Sequence, residues 1–465
     1  MSAEEPDTAE TAAATAAGTS PGSRQGSGPA RTGTEDHPLR YLLANELHAR
    51  PFPVLAVPSH ALHLALKQPR DAANRDREAD RAHLIALLDR YGAPHPPPGA
   101  THYFGALGRY RLKWELHTEF VTYTLFGAGV AGKPFDPAMF DVFPADWLAA
   151  APGKRLTSAL IRVEEMPGED PCDRAVTAAI DGRLGEWFVP ESLAVSCIAD
   201  RMAVVAGDFR IDPAGHLRFA VFVRPDTSPR RIGRIVQRLC EVETYKTMAL
   251  LALPRARALA RRLADLDEKM QRLMAHIRGH ERPEEEVLDE LLAISVEIEN
   301  LIAQSSFRFS ATEAYRAIVS ERLAAMQEER FPGRQTFGQF MLRRFEPAMR
   351  TVRSVARQLA ALAERAKRAG DLLRTRVEVK RSAQSQQLLA RMDRRADLQL
   401  RLQKTVEGLS AVAISYYAIN LVVYALTPLA KGWGLDKPLL YALTTPLVLV
   451  LAWWMVRRIR KMHEP

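Results

Sequence analysis

LSAVAISYYAINLVVYALTPLA occupies residues 409–430, KGWGLDK connects at 431–437, and PLLYALTTPLVLVLAWWMV follows at 438–456. Neither long run contains a charged side chain. As an α-helix, the first run would extend about 33 Å, enough to cross the hydrocarbon core of a bilayer. Two such runs side by side are less typical of a buried hairpin in a soluble core. The sequence therefore predicts a C-terminal hairpin of two transmembrane helices, 409–430 and 438–456, within a membrane region at 405–456.

Basic residues flank this predicted hairpin on both outer sides. The flanking cations are Arg391, Arg394, Arg395, Arg401 and Lys404 before the first run and Arg457, Arg458, Arg460 and Lys461 after the second. Because positively charged flanks remain on the cytoplasmic side, we expect both termini in the cytoplasm and residues 457–465 to form a basic cytoplasmic tail. The bilayer would then be a bacterial inner membrane.

The N-terminal part fits a cytoplasmic location. Residues 1–36 are rich in Ala, Thr, Gly and Ser and lack the basic start and apolar run of a signal peptide. They are predicted to be a disordered tail. The cysteines Cys172, Cys197 and Cys240 are widely spaced and form no CxxC motif. This spacing is typical of reduced core thiols in the cytoplasm.

Composition limits how much of the chain can lie in the membrane. The 465 residues are 47% hydrophobic and carry a net charge of +9. The mean hydropathy of −0.18 is too polar for a transporter with many spans. A basic balance suits nucleic acid or an anionic membrane face. With a membrane hairpin present, we expect the lipid bilayer as the partner and no nucleic acid.

The soluble part divides into two regions of different pattern. Residues 37–226 mix short strand patterns with turns and predict an α+β cytoplasmic domain, with one long strand at 110–126. Residues 227–404 carry apolar side chains at alternating spacings of three and four, which predicts long, coiled-coil-like helical hairpins. The last long helix is expected to continue into the first span. These stripes fit packing within one chain or in a homo-oligomer, and we favour the oligomer because Asn420 also needs a polar partner.

A polar strand face is the first candidate site. Strand alternation places Glu115, His117 and Glu119 on one face, and His48 belongs to a second polar cluster that could meet them. Carboxylates and imidazole can hold a divalent metal or act as acid and base. The alternative is an ordinary solvated face of an antiparallel sheet. No other cofactor is indicated.

The second candidate lies inside the first span. Tyr417, Asn420 and Tyr424 share one helix face and would serve helix packing or line a pore. The sequence contains no Ser-His-Asp order, CxxC zinc spacing or HExxH motif. An enzyme, which would be metal-dependent, is therefore the less favoured class.

Five stretches together resemble a known family. They are LANELHARPF at 43–52, WELHTEF at 114–120, DFRID at 208–212, ETYKTMALLALP at 243–254 and VEGLSAVAISYY at 406–417. The set is similar to an uncharacterised bacterial family of predicted membrane-anchored proteins with a domain of unknown function. This resemblance implies membrane anchoring and no particular reaction.

A weaker likeness is one of architecture. A cytoplasmic domain, a long helix and two C-terminal spans resemble the CorA-type magnesium channels, whose Gly-Met-Asn signature is absent from residues 426–432 here. We therefore expect a membrane-anchored structural or interaction protein at the cytoplasmic face. A CorA-like divalent cation channel and a metal-dependent enzyme are the alternatives.

Overall fold

The computed structural model describes residues 36–41, 43, 52–69, 74–279, 282–432 and 436–463. The predicted disordered tail at 1–36 lies outside the described residues except for Asp36, and so does His48.

A mixed sheet forms the centre of the N-terminal part. Its nine described strands are arranged in the order β2-β3-β4-β1-β5-β8-β7-β6-β9. Their bounds are Ser59–Lys67 (β1), His102–Leu107 (β2), Tyr110–Leu116 (β3), Phe120–Ala128 (β4), Lys154–Glu165 (β5), Ala194–Ile198 (β6), Ala203–Gly207 (β7), Leu217–Val223 (β8) and Glu329–Arg330 (β9). Only β5 and β8 pair in parallel among these strands. In the central register, Leu62 of β1 lies opposite Leu125 of β4 and Leu160 of β5.

Helices cover both faces of this sheet. The described helices are Arg77–Arg90 (α1), Ala145–Ala149 (α2), Arg174–Trp187 (α3), Pro229–Leu250 (α4), Ala252–Gly279 (α5), Glu284–Ala324 (α6), Phe337–Gly432 (α7) and Lys437–His463 (α8). Side chains from α1, α2 and α3 join the core on one face, around Trp114 and Tyr123. On the other face, α4 buries Ile232, Val236 and Leu239 against the strands.

Local sequence explains where several helices begin. The carboxylates of Asp76 and Asp173 accept hydrogen bonds from the first backbone amides of α1 and α3. Pro229 opens α4, although the Ser228 side chain makes no capping hydrogen bond. At α7, Thr336 and Gln339 bond reciprocally to each other's backbone amides at 3.1 and 3.3 Å. This is a capping box.

The predicted apolar stripes are buried, and they pack within one chain. Helices α5, α6 and α7 share one core, which we call the bundle core. Its members include Leu259, Leu263, Leu266, Met270, Leu273, Ile277, Val287, Leu291, Ile294, Ile298, Leu301, Val352, Val355, Leu359, Leu362, Ala366, Ala369 and Leu373. These contacts are satisfied without a second copy of the chain.

Helix α7 continues far beyond the bundle. It has 96 residues, which corresponds to about 144 Å. Residues 378–410 are exposed on every side. The segment that follows, and α8, are long and apolar enough to cross a membrane, and only 11% of each apolar window is buried. The prediction of two long apolar helices after a set of long helices is confirmed at this level.

Two detailed expectations are wrong. Residues 110–126 form two strands, β3 and β4, with His117–Glu119 as the turn between them, because Leu116 already pairs back with Val121. The thiol of Cys172 is exposed, whereas Cys197 and Cys240 are buried as core thiols. The strand β9, from the chain segment between the long helices, pairs with β6, so the sheet and the helices are joined in one packed unit.

Candidate functional site

A cavity of about 440 Å³ lies between the polar end of the sheet and α4. We call it the sheet–helix cavity. Its walls come from β1, β3, β4, α4 and the end of α6. The lining residues are Phe52, His63, Lys113, Glu115, His117, Phe120, Thr122, Thr124, Phe126, Gln237, Cys240, Glu241, Thr244, Tyr245 and Arg322.

His63 is held at the floor of this cavity in one tautomer. Its Nδ1 and Nε2 lie 2.8 Å from the hydroxyls of Thr124 and Thr244. The Thr244 hydroxyl donates its single hydrogen to the Cys240 carbonyl, so it accepts from Nε2–H of His63. Burial lowers the pKa of His63 to about 4. The imidazole is therefore neutral at physiological pH and oriented by both threonines.

Two ion pairs face the cavity from opposite walls. On β3, Lys113 Nζ lies 3.1 Å from Glu115 Oε2, and the lysine side chain is 5% exposed. On the helical wall, Glu241 accepts hydrogen bonds from Arg322 and from Gln237, the latter at 2.7 Å. Since each cation has a carboxylate beside it, the lining has no excess of charge.

Buried polar groups nevertheless keep unused hydrogen-bonding capacity. Beyond its ion pair with Glu115, Lys113 Nζ makes no hydrogen bond with a described residue, and neither does the amide oxygen of Gln237. An ammonium has three donors, and leaving such groups unmatched costs free energy. The wall therefore offers both donors and acceptors to a polar molecule in the cavity.

Aromatic rings supply the apolar part of the lining. The His117 ring stacks on Phe120 at 4.2 Å between centroids, and Tyr245 meets both rings edge-on. Flat rings beside a few fixed polar groups are typical of small-molecule sites.

The Cys240 thiol in this cavity is not activated as a nucleophile. The Cys240 thiol is buried, and burial raises its pKa well above its usual range. A protonated thiol is a weak nucleophile, and the neighbouring His63 is occupied by two threonines. The arrangement favours binding over covalent chemistry.

The structure brings only part of the predicted metal set together. Glu115 and His117 line the cavity, whereas Glu119 bonds to Arg308 and to the Tyr315 hydroxyl at 2.9 Å. No group of three His, Cys, Asp or Glu side chains suited to a metal ion occurs among the described residues. Because His48 lies outside them, the metal hypothesis stays a prediction.

Glu119 has a structural position instead. Its carboxylate is 1% exposed and also lies 3.8 Å from Lys67 Nζ. Arg308 and Tyr315 belong to α6, so this buried carboxylate ties the β3–β4 turn to the long helices. Burial and the nearby Arg308 charge lower the pKa of Lys67.

Sequence reasoning missed His63, Lys113 as a cavity residue, and the α4 residues Gln237, Cys240 and Thr244. The strand that carries His63 reads SHALHLALK, and every one of its nine positions is buried. Central position in the sheet hides the alternation that would mark a half-exposed strand. Two histidines within such an apolar run were the available signal.

The second candidate set is only partly assembled. The amide oxygen of Asn420 accepts a hydrogen bond from the Tyr441 hydroxyl of α8 at 3.1 Å, and its amide nitrogen donates to the Tyr416 carbonyl at 3.0 Å. Tyr417 and Tyr424 are 67% and 76% exposed. Asn420 thus has a polar partner within one chain, and the side chains of the two tyrosines are largely exposed.

Three of the five stretches that carried the family resemblance meet at the sheet–helix cavity, through Phe52, through Glu115, His117 and Phe120, and through Thr244 and Tyr245. A family model described as protein of unknown function (DUF3422) matches residues 35–463. A search of curated proteins and a search of solved structures each gave no match.

Proposed function

The chain belongs to the DUF3422 family of proteins of unknown function, and from this premise we propose that it is a membrane-anchored binding protein. Its two C-terminal apolar helices hold it in the bilayer. Its sheet domain stays in the cytoplasm, with the sheet–helix cavity as the binding site for a small polar molecule.

The exposure of the C-terminal helices is the observation that carries the anchor. Among the described residues, nineteen large hydrophobic side chains between 409 and 455 are exposed. Soluble monomers rarely expose a contiguous apolar patch of this extent. In hydrocarbon the same surface is stable, since all backbone groups of a helix are satisfied internally.

The flanking charges support a cytoplasmic sheet domain. The exposed segment of α7 that precedes the apolar run contains Arg391, Arg394 and Arg395. Arg457 and Arg458 end the apolar part of α8 and lie over the rings of Trp453 and Trp454. Such aromatic and basic residues are enriched at the membrane interface.

Polar groups within the apolar helices favour anchoring over ion conduction. The hydroxyls of Ser415, Thr427, Thr444 and Thr445 each donate to the carbonyl four residues earlier. Asn420 is bonded to Tyr441. These polar side chains are thus engaged within the chain, whereas a pore needs groups that face a permeating ion.

Carbonate extraction of bacterial membranes that contain the full-length chain tests the anchor. We expect the wild type to remain in the membrane pellet. The double variant Leu421→Arg/Leu447→Arg places a cation near the centre of each run, where each costs about 2.5–3.5 kcal/mol of insertion free energy. It should move largely to the soluble or aggregated fraction.

The matched control is Ile211→Arg/Val296→Arg on the sheet domain and α6. These side chains are 70% and 61% exposed, close to the 70% and 68% of Leu421 and Leu447. The control should stay in the pellet. Wild-type protein released by carbonate, or equal release of both double variants, would refute the anchor.

A further inference from the structure

A second cavity, of about 310 Å³, lies on the opposite half of α4 from the sheet–helix cavity. We propose that it binds a phosphate-bearing anion, and we call it the arginine cavity. Its lining residues are Ala199, Asp200, Met202, Thr227, Arg231, Arg234, Ile235, Arg238, Ala325 and Gln327. This site is independent of the membrane anchor.

Helix periodicity places three arginines on one face of α4. Arg231, Arg234 and Arg238 are three and four residues apart, so their guanidinium groups project from one face of α4. One carboxylate, Asp200, is present among the described lining residues. The cavity wall therefore has an excess of two positive charges.

The three arginines lack ionic partners in the described part of the chain. Arg231 donates to the Met202 sulfur and Arg238 donates to the Ala325 carbonyl at 2.7 Å. Neither acceptor carries a charge, and Arg234 makes no hydrogen bond or ion pair with a described residue. Glu241 attracts Arg238 electrostatically, but its carboxylate is already bonded to Arg322 and Gln237.

Mutual repulsion makes this cluster costly without an anion. Burial and the adjacent Arg234 charge lower the pKa of Arg238, Glu241 opposes this shift, and Arg322 adds to it. The guanidinium groups of this wall thus repel one another. An anion placed among the guanidinium groups would remove the repulsion and supply the missing acceptors.

Phosphate is the anion that suits this wall best. Each guanidinium presents a planar fork of donors that matches two phosphate oxygens, and Arg is preferred over Lys in such sites. The volume exceeds that of a single phosphate, so a diphosphate or a phosphorylated small molecule fits the space. A phospholipid headgroup offers the same chemistry.

The β6–β7 turn closes one side of the cavity in an unusual conformation. Ala199, Asp200 and Arg201 have φ angles of 52°, 57° and 61°, a left-handed region that non-glycine residues seldom adopt. The Met202 carbonyl accepts hydrogen bonds from the backbone of Arg224 and from the Thr227 hydroxyl. These bonds join the turn to the connection between β8 and α4, just before the arginine face of α4.

Binding of inorganic pyrophosphate to the purified full-length chain in neutral detergent tests the proposal. Titration calorimetry and thermal shift would be run against sodium chloride at equal ionic strength. We expect saturable binding and a raised melting temperature with pyrophosphate only. Arg234→Gln should weaken binding at least about tenfold, because it removes charge-assisted hydrogen bonds.

Arg230→Gln is the matched control, since Arg230 is exposed on the same helix and does not line the cavity. It should change affinity less than about twofold, the scale of surface effects. If Arg234→Gln does not fold, the exposed Arg231 supplies a second variant, Arg231→Gln. Absence of saturable binding, or equal loss with Arg230→Gln, would overturn the proposal.

Dihexanoyl-phosphatidic acid, which is soluble as a monomer, distinguishes the two sources of phosphate. Tighter binding of this lipid than of pyrophosphate, lost in Arg234→Gln, identifies a lipid headgroup as the ligand. Tighter binding of pyrophosphate identifies a soluble phosphate compound. If neither probe binds to the wild type above the chloride control, the arginine cavity is not a phosphate site.

Discussion

Helix α7 takes part in two apolar regions that differ in what covers them. In the bundle core it packs with α5 and α6, where Leu266 is 2% exposed. In the C-terminal region it meets only α8 among the described elements, and Leu421 is 70% exposed. Leucines in two regions of one chain thus have opposite surroundings.

This difference teaches that a helix with one apolar face and a helix that is apolar on every face need different surroundings. A stripe of side chains three and four apart leaves the other helix faces polar, so two neighbours suffice to bury it. Residues 409–429 are apolar all round, so one neighbour leaves most of the surface uncovered. Water is a suitable solvent for the bundle, and hydrocarbon is suitable for the C-terminal pair.

The largest expected effect comes from the same substitution made in both regions. Leu266→Ala should lower the free energy of unfolding of the soluble part by about 2–5 kcal/mol, because it leaves a cavity in the bundle core. Leu421→Ala should change it by less than about 0.5 kcal/mol. Urea unfolding in mild detergent, followed by fluorescence of the buried Trp114 and Trp147, measures both.

The comparison would fail if the two variants lost similar stability. That result would place Leu421 in a packed protein interface, such as a contact between copies of the chain. Light scattering of the wild type in detergent would then be expected to give an oligomer mass. A monomer mass would leave lipid contact as the explanation of the exposed surface.

The bundle was predictable in more detail than the sheet, for a physical reason. Regular spacing from Leu259 to Leu373 encodes burial directly, and the capping residues Thr336 and Gln339 mark the start of α7. In the sheet, the WELHTEF stretch reads as continuous strand, because β propensity does not reveal that His117 to Glu119 reverse direction. Glu119 at this turn bonds to Arg308, 189 residues away, and the local sequence does not reveal such a contact.

A second comparison is between the apolar bundle core and the polar contact of α4 with the sheet. His63 is buried in that contact, and its folded pKa of about 4 lies below the usual 6.5. The unfolded chain therefore binds a proton between these values while the native chain does not. Stability from this group is full above pH 6.5 and falls as pH is lowered to about 4.

The whole shift corresponds to roughly 3 kcal/mol. We expect wild-type unfolding free energies, measured from pH 7 to pH 4, to fall more steeply than those of His63→Gln by up to that amount. The other buried histidines, His60, His83 and His216, contribute equally to both proteins. Parallel pH curves for the two proteins would show that the pKa of His63 is the same in the native and unfolded states.

The candidate site was only half predictable. Glu115 and His117 stood out because polar residues alternate with Trp114 and Leu116. His63 and Thr244 did not stand out, since they lie 181 residues apart. Only the hydrogen bond that joins them in the structure marks them as residues of one site. Pairing between distant segments is what a single sequence conceals.

A smaller effect on stability is expected at the rim of the polar contact between α4 and the sheet. The His117→Ala variant loses the stacked contact with Phe120, which is worth about 0.5–1.5 kcal/mol. Melting temperatures of the wild type and His117→Ala, measured without metal and with Mg²⁺, Mn²⁺ or Zn²⁺, test both the stacking contact and the predicted metal site. A metal held by Glu115, His117 and His48 would raise the wild-type melting temperature by mass action, and His117→Ala would lose that response.

Neutral imidazole is required for coordination, so such a response should fade below about pH 6. The exposed His95 provides the control variant His95→Ala, because it pairs with Asp89 far from the cavity. Equal ion responses in wild type, His117→Ala and His95→Ala would remove the metal hypothesis. The stacked ring would then have a packing role only.

The smallest expected effect is in the C-terminal pair, where the comparison with the bundle is most direct. Tyr441→Phe removes the one described side-chain hydrogen bond between α7 and α8, whereas several polar contacts join the bundle helices, such as Arg262 with Glu297 and Lys380 with Glu284. Hydrogen bonds between membrane helices average about 0.6 kcal/mol, because the separated helices find other partners. Unfolding of the reconstituted chain should therefore become easier by about that amount. Tyr424→Phe, at an exposed tyrosine, should have no effect. If Tyr441→Phe also had none, the two C-terminal helices would be held by apolar contact alone.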